Sequence, residues 1–211
     1  MHNGIATAVM FGLISVLPAA AATCPGNVTF HDTFAVTNPV WNLNTGATVK
    51  VTMGGGKADF SFTQASLGQS LQYSINQYGD ASLCATVSAP ATAKAENQAA
   101  GMTFWGSAGA NYYMFEVTVA GQFFVGSNNN GTWTALFARQ DNAAIAKGVG
   151  VSNTLQVTTK GTLATFYVNG TQVGTITGNP PAGGGTVGIY AETSTTSAEP
   201  MDLTDFQIAV P

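Results

Sequence analysis

The chain has 211 residues, 45% of them hydrophobic and only 8% charged, with a formal net charge of −4. An average soluble protein carries about 25% charged residues. Ten acids against six bases leave no basic face to displace counterions from a phosphate backbone, which argues strongly against a nucleic-acid binder.

Residues 10–22 are apolar and uncharged and end in Ala20-Ala21-Ala22, an A-x-A pattern that predicts a cleaved export signal. The run is shorter than the roughly 20 residues of a membrane span. The expectation is a signal peptide over 1–22, one domain over 23–211 and no membrane span after cleavage. The protein is then secreted, periplasmic or at the cell surface. In such compartments two cysteines read as a disulfide, here Cys24 with Cys84. The chain-entropy account gives about 4 kcal/mol for closing a loop of that size. These cysteines with His31, the one histidine after the signal, do not make a zinc site of the usual kind.

After the signal, short runs alternate with period two, and none sustains a helical period. Strands are expected at 27–33, 71–75, 82–87, 102–105, 112–119, 122–126, 133–138, 154–159, 162–168, 171–176, 187–192 and 202–210. Within 112–119, Tyr113, Phe115, Val117 and Val119 share one face, and Tyr112, Met114, Glu116 and Thr118 take the other. Asn169-Gly170 between two such runs marks a tight hairpin turn. Further turns are expected at 54–56, 128–131 and 179–185. Residues 91–99 are the one stretch with helical character, and a loop or a single turn fits them equally well. So many short strands predict an all-β, two-sheet antiparallel sandwich.

Several segments in order carry a resemblance. Phe30-His31-Asp32-Thr33-Phe34 and Trp41 come first. Gly101-Met102-Thr103-Phe104-Trp105, Asn111-Tyr112-Tyr113-Met114-Phe115-Glu116-Val117 and Gly131-Thr132-Trp133 follow. Asn153-Thr154-Leu155-Gln156-Val157, Phe166-Tyr167-Val168-Asn169-Gly170, Gly188-Ile189-Tyr190-Ala191 and Asp205-Phe206 complete the set. Together, over about residues 27–210, they resemble the concanavalin A-like lectin/glucanase superfamily, nearest its laminin G-like and 3-keto-disaccharide-hydrolase-type domains. The resemblance implies a jelly-roll sandwich with one concave sheet that often carries a glycan site. Fold alone does not give the activity.

Glycoside hydrolysis needs two carboxyl groups flanking the scissile bond. The Glu-x-Asp-x-x-Glu strand motif of the superfamily's laminarinase-type enzymes is missing here. Glu116 and Glu192 both lie opposite the apolar faces of their strands and are the weak candidates for such a pair. Two unrelated solvated carboxylates are the favoured reading of them. No nucleophile elbow is present, and Gly54-Gly55-Gly56-Lys57 lacks phosphate-loop spacing.

Carbohydrate binding is better supplied. Sugars stack apolar C–H faces on aromatic rings and present hydroxyls to amides and carboxylates. Trp105, Tyr112, Trp133 and Tyr190 are the candidate rings, and Glu116, Glu192, Asn111 and Gln122 the candidate polar partners. Trp41, Phe104, Phe115 and Phe166 are expected in the core instead. Glu199, Asp202 and Asp205 are weak candidates for a calcium site, although 202 and 205 fall on opposite faces of an uninterrupted strand. The expectation is an exported, non-catalytic carbohydrate-binding domain without a cofactor, calcium being the one conceivable ion, whose partner is a carbohydrate or an extracellular surface. A hydrolase of a disaccharide or polysaccharide and a structural or adhesive surface protein are the alternatives. Asn27, Asn130 and Asn169 head glycosylation sequons.

Overall fold

The computed structural model describes residues 23–43, 46–108 and 110–211. The export-signal reading falls outside the described residues. In chain order the strands are β1 (Asn27–Asp32), β2 (Val49–Gly54), β3 (Lys57–Phe62), β4 (Gly68–Tyr78) and β5 (Ala81–Ser88). Next come β6 (Ala99–Ser107), β7 (Asn111–Thr118), β8 (Gln122–Asn129), β9 (Thr132–Asp141) and β10 (Asn153–Lys160). The last are β11 (Leu163–Val168), β12 (Thr171–Thr177), β13 (Gly185–Glu192) and β14 (Met201–Val210).

They form two sheets, all of whose named pairs are antiparallel. An eight-stranded sheet runs β12-β11-β10-β5-β14-β3-β2, with β1 also on β14, and a six-stranded sheet runs β4-β13-β6-β7-β8-β9. This is the all-β jelly-roll sandwich that the resemblance implies. Apolar side chains from both sheets meet in one core, where Phe34, Phe60, Phe104, Phe115, Phe166 and Phe206 are fully buried. Burying each such ring contributes about 1.5–3 kcal/mol. Trp41 joins them and donates its Nε1–H to Asp32 at 2.8 Å.

The alternation in β7 is as expected: Phe115 and Val117 enter the core, while Glu116 takes the other face. Asn169 and Gly170 have φ of +49° and +79° and turn β11 into β12, as that dipeptide predicts. At three places the structure corrects the sequence expectations or decides between them. β2 and β3 were not among the expected strands, although Val49, Val51 and Met53 and then Ala58, Phe60 and Phe62 alternate into the core on either side of the Gly55-Gly56 turn. Residues 91–99 make no helix; a turn closes from Ala93 N to Pro90 O, and Ala99 already opens β6. Asp202 and Asp205 share a face of β14, because a bulge there inserts Thr204 between the pairs Leu203↔Val87 and Asp205↔Thr86.

Cys24 and Cys84 form a disulfide, with Cα atoms 5.6 Å apart. It ties the segment before β1 to β5 in the middle of the larger sheet.

Candidate functional site

The outer face of the six-stranded sheet holds a cleft of about 480 Å³. Strand register builds it. Tyr190 on β13 pairs with Gly101 on β6, Gly101 with Glu116 on β7, and Glu116 with Phe124 on β8, so these side-chain positions form one row. Glu192, two residues along β13, extends the same face. Gly101 adds no side chain between Glu116 and Tyr190. At Gly68 on β4, an added Cβ would sit 2.1 Å from the Tyr190 hydroxyl oxygen, so the phenol needs a glycine there.

Arg139 organises the cleft. Its Nη2 donates to Glu116 Oε1 at 2.6 Å and to Glu192 Oε1 at 2.5 Å, while Nη1 donates to Asn97 O at 3.2 Å. Tyr190 donates its hydroxyl to Glu192 Oε2 at 3.1 Å. Glu116 is completely buried, whereas the Glu192 and Arg139 side chains keep 24% and 30% exposure. The reading of Glu116 and Glu192 as unrelated solvated carboxylates is therefore overturned, since one guanidinium joins them. Burial pushes the Glu116 carboxyl well above the usual carboxylate range, the Glu192 charge adds to the rise, and Arg139 opposes it. Its Oε2 is buried without a hydrogen-bond partner among the described residues. Burial, then the charges of Glu192 and Glu116, likewise raise the Tyr190 phenol well above its usual range.

Three rings border this cluster. Trp133 packs edge-on to Tyr190 with centroids 6.4 Å apart, and Tyr112 packs edge-on to Trp133 at 5.9 Å. Trp133 is 43% exposed, while Tyr190 is 4% exposed. Trp133 is thus the ring with a free surface, and Tyr190 serves mainly through its hydroxyl.

Of the expected binding residues, the structure brings Glu116, Trp133, Tyr190 and Glu192 to the cleft and places Tyr112 against Trp133 at its margin. Trp105 is elsewhere: it is buried against Phe104 and Tyr113 at the end of β6. The metal candidates are engaged separately. Glu199 Oε2 accepts from Lys94 N at 2.8 Å, both Asp202 oxygens accept from Lys57 Nζ at 3.1 Å, and Asp205 accepts from His31 Nε2 at 2.6 Å and Gln207 Nε2 at 2.9 Å. Among the described residues no three His, Cys, Asp or Glu side chains converge to hold an ion.

Arg139 is a cleft residue that the sequence reading did not include. The expected strand ended at 138, one residue short. Counted from Trp133, alternation puts Arg139 on the same face, and the two bulges in β9 between them cancel. Gly126 pairs with Ala135 and Val125 with Phe137, which leaves Leu136 over; Phe123 pairs with Gln140, which sets both Ala138 and Arg139 against Phe124. The other available signal is chemical, because Arg139 is the only arginine in the chain.

No family profile matches the chain, and no curated protein matches it. Solved structures do. A β-glucanase of Bacillus licheniformis superposes with a TM-score of 0.60 at 12% identity, covering 89% of this chain and 100% of that one. A structure of endo-acting O-glycanases from members of the human gut microbiota gives 0.63 at 12% identity, covering 87% and 99%. The carbohydrate-binding module CBM66 from Bacillus subtilis gives 0.50 at 13% identity, covering 87% and 98%. At such identities the likeness is one of fold alone, the two-sheet jelly-roll sandwich.

Proposed function

We propose that this protein is an exported carbohydrate-binding domain that holds its glycan in the cleft of the six-stranded sheet without cleaving it. One observation carries the non-catalytic reading: Glu116 has no exposed side-chain surface and lies under Arg139. A general acid must come within hydrogen-bond reach of the atom it protonates, and this carboxyl borders the cleft with no solvent-exposed surface and with Arg139 on one of its oxygens. The groups left accessible are those that bind. Trp133 offers a ring face to sugar C–H groups, while Arg139 and Glu192 offer a donor and an acceptor to hydroxyls. Structural neighbours whose names include a carbohydrate-binding module and glycanases support a carbohydrate as the ligand class. The disulfide supports an oxidising compartment, as export would give.

A hydrolase is the second reading, and one measurement favours it. Glu116 and Glu192 grip the same nitrogen at 2.6 and 2.5 Å, so the gripping oxygens lie no more than about 5 Å apart, a bound below the inverting spacing and not above the roughly 5–5.5 Å of retaining glycosidases.

A glycan array followed by calorimetry on the strongest hit tests both. Binding that falls at least tenfold in Trp133→Ala and in Glu192→Ala, with no reducing ends released over days, is the expected result. A folded protein silent across the array overturns the binding reading. Product release that Glu116→Gln abolishes replaces it with the hydrolase.

A further inference from the structure

A second depression, of about 430 Å³, lies at the end of the sandwich between the turn after β6, the β8–β9 turn and the segment after β12. Its volume is in the range of small-ligand sites. Trp105, Tyr112 and Tyr113 supply its aromatic wall, and Asn111, Asn129 and Asn179 supply amides; among the described residues no charged one lines it. Tyr112 separates it from the cleft, since that ring also packs on Trp133.

Its walls are fixed in place. Trp105 stands at 87° to Tyr113 with centroids 5.2 Å apart. Tyr113 accepts a hydrogen bond from Asn179 N at 3.0 Å, which anchors the segment after β12. Asn111 donates to Ala108 O at 2.8 Å and accepts from Asn130 N at 2.9 Å, which joins the two turns. Gly178 lets the chain lie flat on the indole, because a Cβ there would fall 2.5 Å from Trp105 Cζ3. Two costs meet at Trp105. It is held at φ +48°, a region that favours glycine, and its buried Nε1 has no partner among the described residues. Backbone strain of this kind clusters at ligand-binding positions.

We propose that this end pocket is a second binding site, independent of Arg139, for a neutral hydroxylated ring such as a sugar residue. Amides give both donors and acceptors to hydroxyls, the half-buried Tyr112 and Tyr113 rings give surface for C–H stacking over the buried Trp105, and the lack of charge gives an anion or a cation no partner. The proposal goes beyond the cleft reading and does not need it to hold.

The three tryptophans make the test direct. Their indole N–H signals in a ¹⁵N-labelled protein, assigned by Trp→Phe variants, report separate places. Trp133 reports the cleft, Trp105 the end pocket, and Trp41, bonded to Asp32, the core. Glucose, galactose, N-acetylglucosamine and glucuronate are titrated in turn to high millimolar concentration. The expected result is a saturable shift of the Trp105 signal with a neutral sugar and none with glucuronate. It persists in Glu192→Ala and weakens about fivefold in Asn129→Ala and Asn179→Ala, the loss of roughly one neutral hydrogen bond. A Trp105 signal that no sugar moves overturns the proposal. So does one that moves only in step with Trp133 and stops moving in Glu192→Ala, for then a single site exists. Movement of Trp105 with Trp133 silent removes the cleft reading and leaves the end pocket standing.

Discussion

Arg139 Nη2 donates to Glu116 Oε1 at 2.6 Å, and the Glu116 side chain beneath it has no exposure to solvent. Removing one partner of a fully charged buried pair costs about 3–5 kcal/mol. Burial and the Glu192 charge favour the neutral form of Glu116, and loss of Arg139 favours it further, so the cost expected is that of an unpaired polar group. Arg139→Met is therefore expected to destabilise the fold by about 1–3 kcal/mol, the cost of an unsatisfied buried polar group. Glu116→Gln, which keeps the shape and the acceptor, is expected to stay within about 1 kcal/mol of the parent. Urea titrations of the two variants check this. Equal losses would mean that Glu116 is ionised in the fold.

Stability should peak in mildly acidic solution, because two carboxyls act in opposite directions. Glu96 accepts hydrogen bonds from Ser194 and Thr196 at 2.6 and 2.5 Å, and these with Ser197 lower its pKa from 4.5 to about 2. A carboxyl depressed in the fold contributes stability that is present above its unfolded value and disappears as pH falls toward 2. Glu116 is raised in the fold. Its contribution is complete below its unfolded value and is lost as pH climbs toward the folded one. Melting curves across acid and neutral pH should show Glu96→Gln flattening the acid limb and Glu116→Gln flattening the limb above it. A Glu116→Gln profile that still falls with rising pH would locate the effect elsewhere, Asp202 being the other carboxyl raised by burial.

The framework of the fold was legible in sequence, and the centre of its cleft only in part. Period-two alternation in β7 and β13 placed Glu116, Tyr190 and Glu192 on corresponding faces, and register then made Tyr190 and Glu116 neighbours of one glycine. The meeting of Glu116 with Glu192 required Arg139, which lies one residue beyond the expected strand, and alternation along one strand does not show which side chains of different strands join. Trp105 leaves the face of the cleft at a similar irregularity. The β6–β7 pairing shifts between Phe104 and Ser107, and the left-handed backbone at Trp105 turns that ring back into the core. Alternation describes regular strands, and the structure departs from it at both of the sites where ligands are proposed.

The disulfide and the cleft should be separable. Closing a loop of this length gives about 4 kcal/mol in the chain-entropy account. Cys24→Ala with Cys84→Ala should therefore lower the melting temperature by roughly 10 °C at the 2–4 °C per kcal/mol of a domain this size. Cys84 lies on β5 in the larger sheet, whereas the cleft belongs to the other sheet, so glycan affinity measured well below the melt should be unchanged. Affinity lost in step with the disulfide would show that the two sheets communicate.

Metal removal should leave binding intact. Lys94 N, Lys57 and His31 already occupy Glu199, Asp202 and Asp205 respectively, and the cleft carboxylates hold Arg139. A calcium ion wants six to eight hard oxygens. At Glu116 and Glu192 it would have to displace the Arg139 guanidinium that both side chains hold, and the displaced cation would lose both partners. The glycan isotherm in EDTA should superpose on that in calcium. A calcium-dependent isotherm would instead require the Arg139 pairs to open, and ¹⁵N signals of the guanidinium would then move on adding the ion.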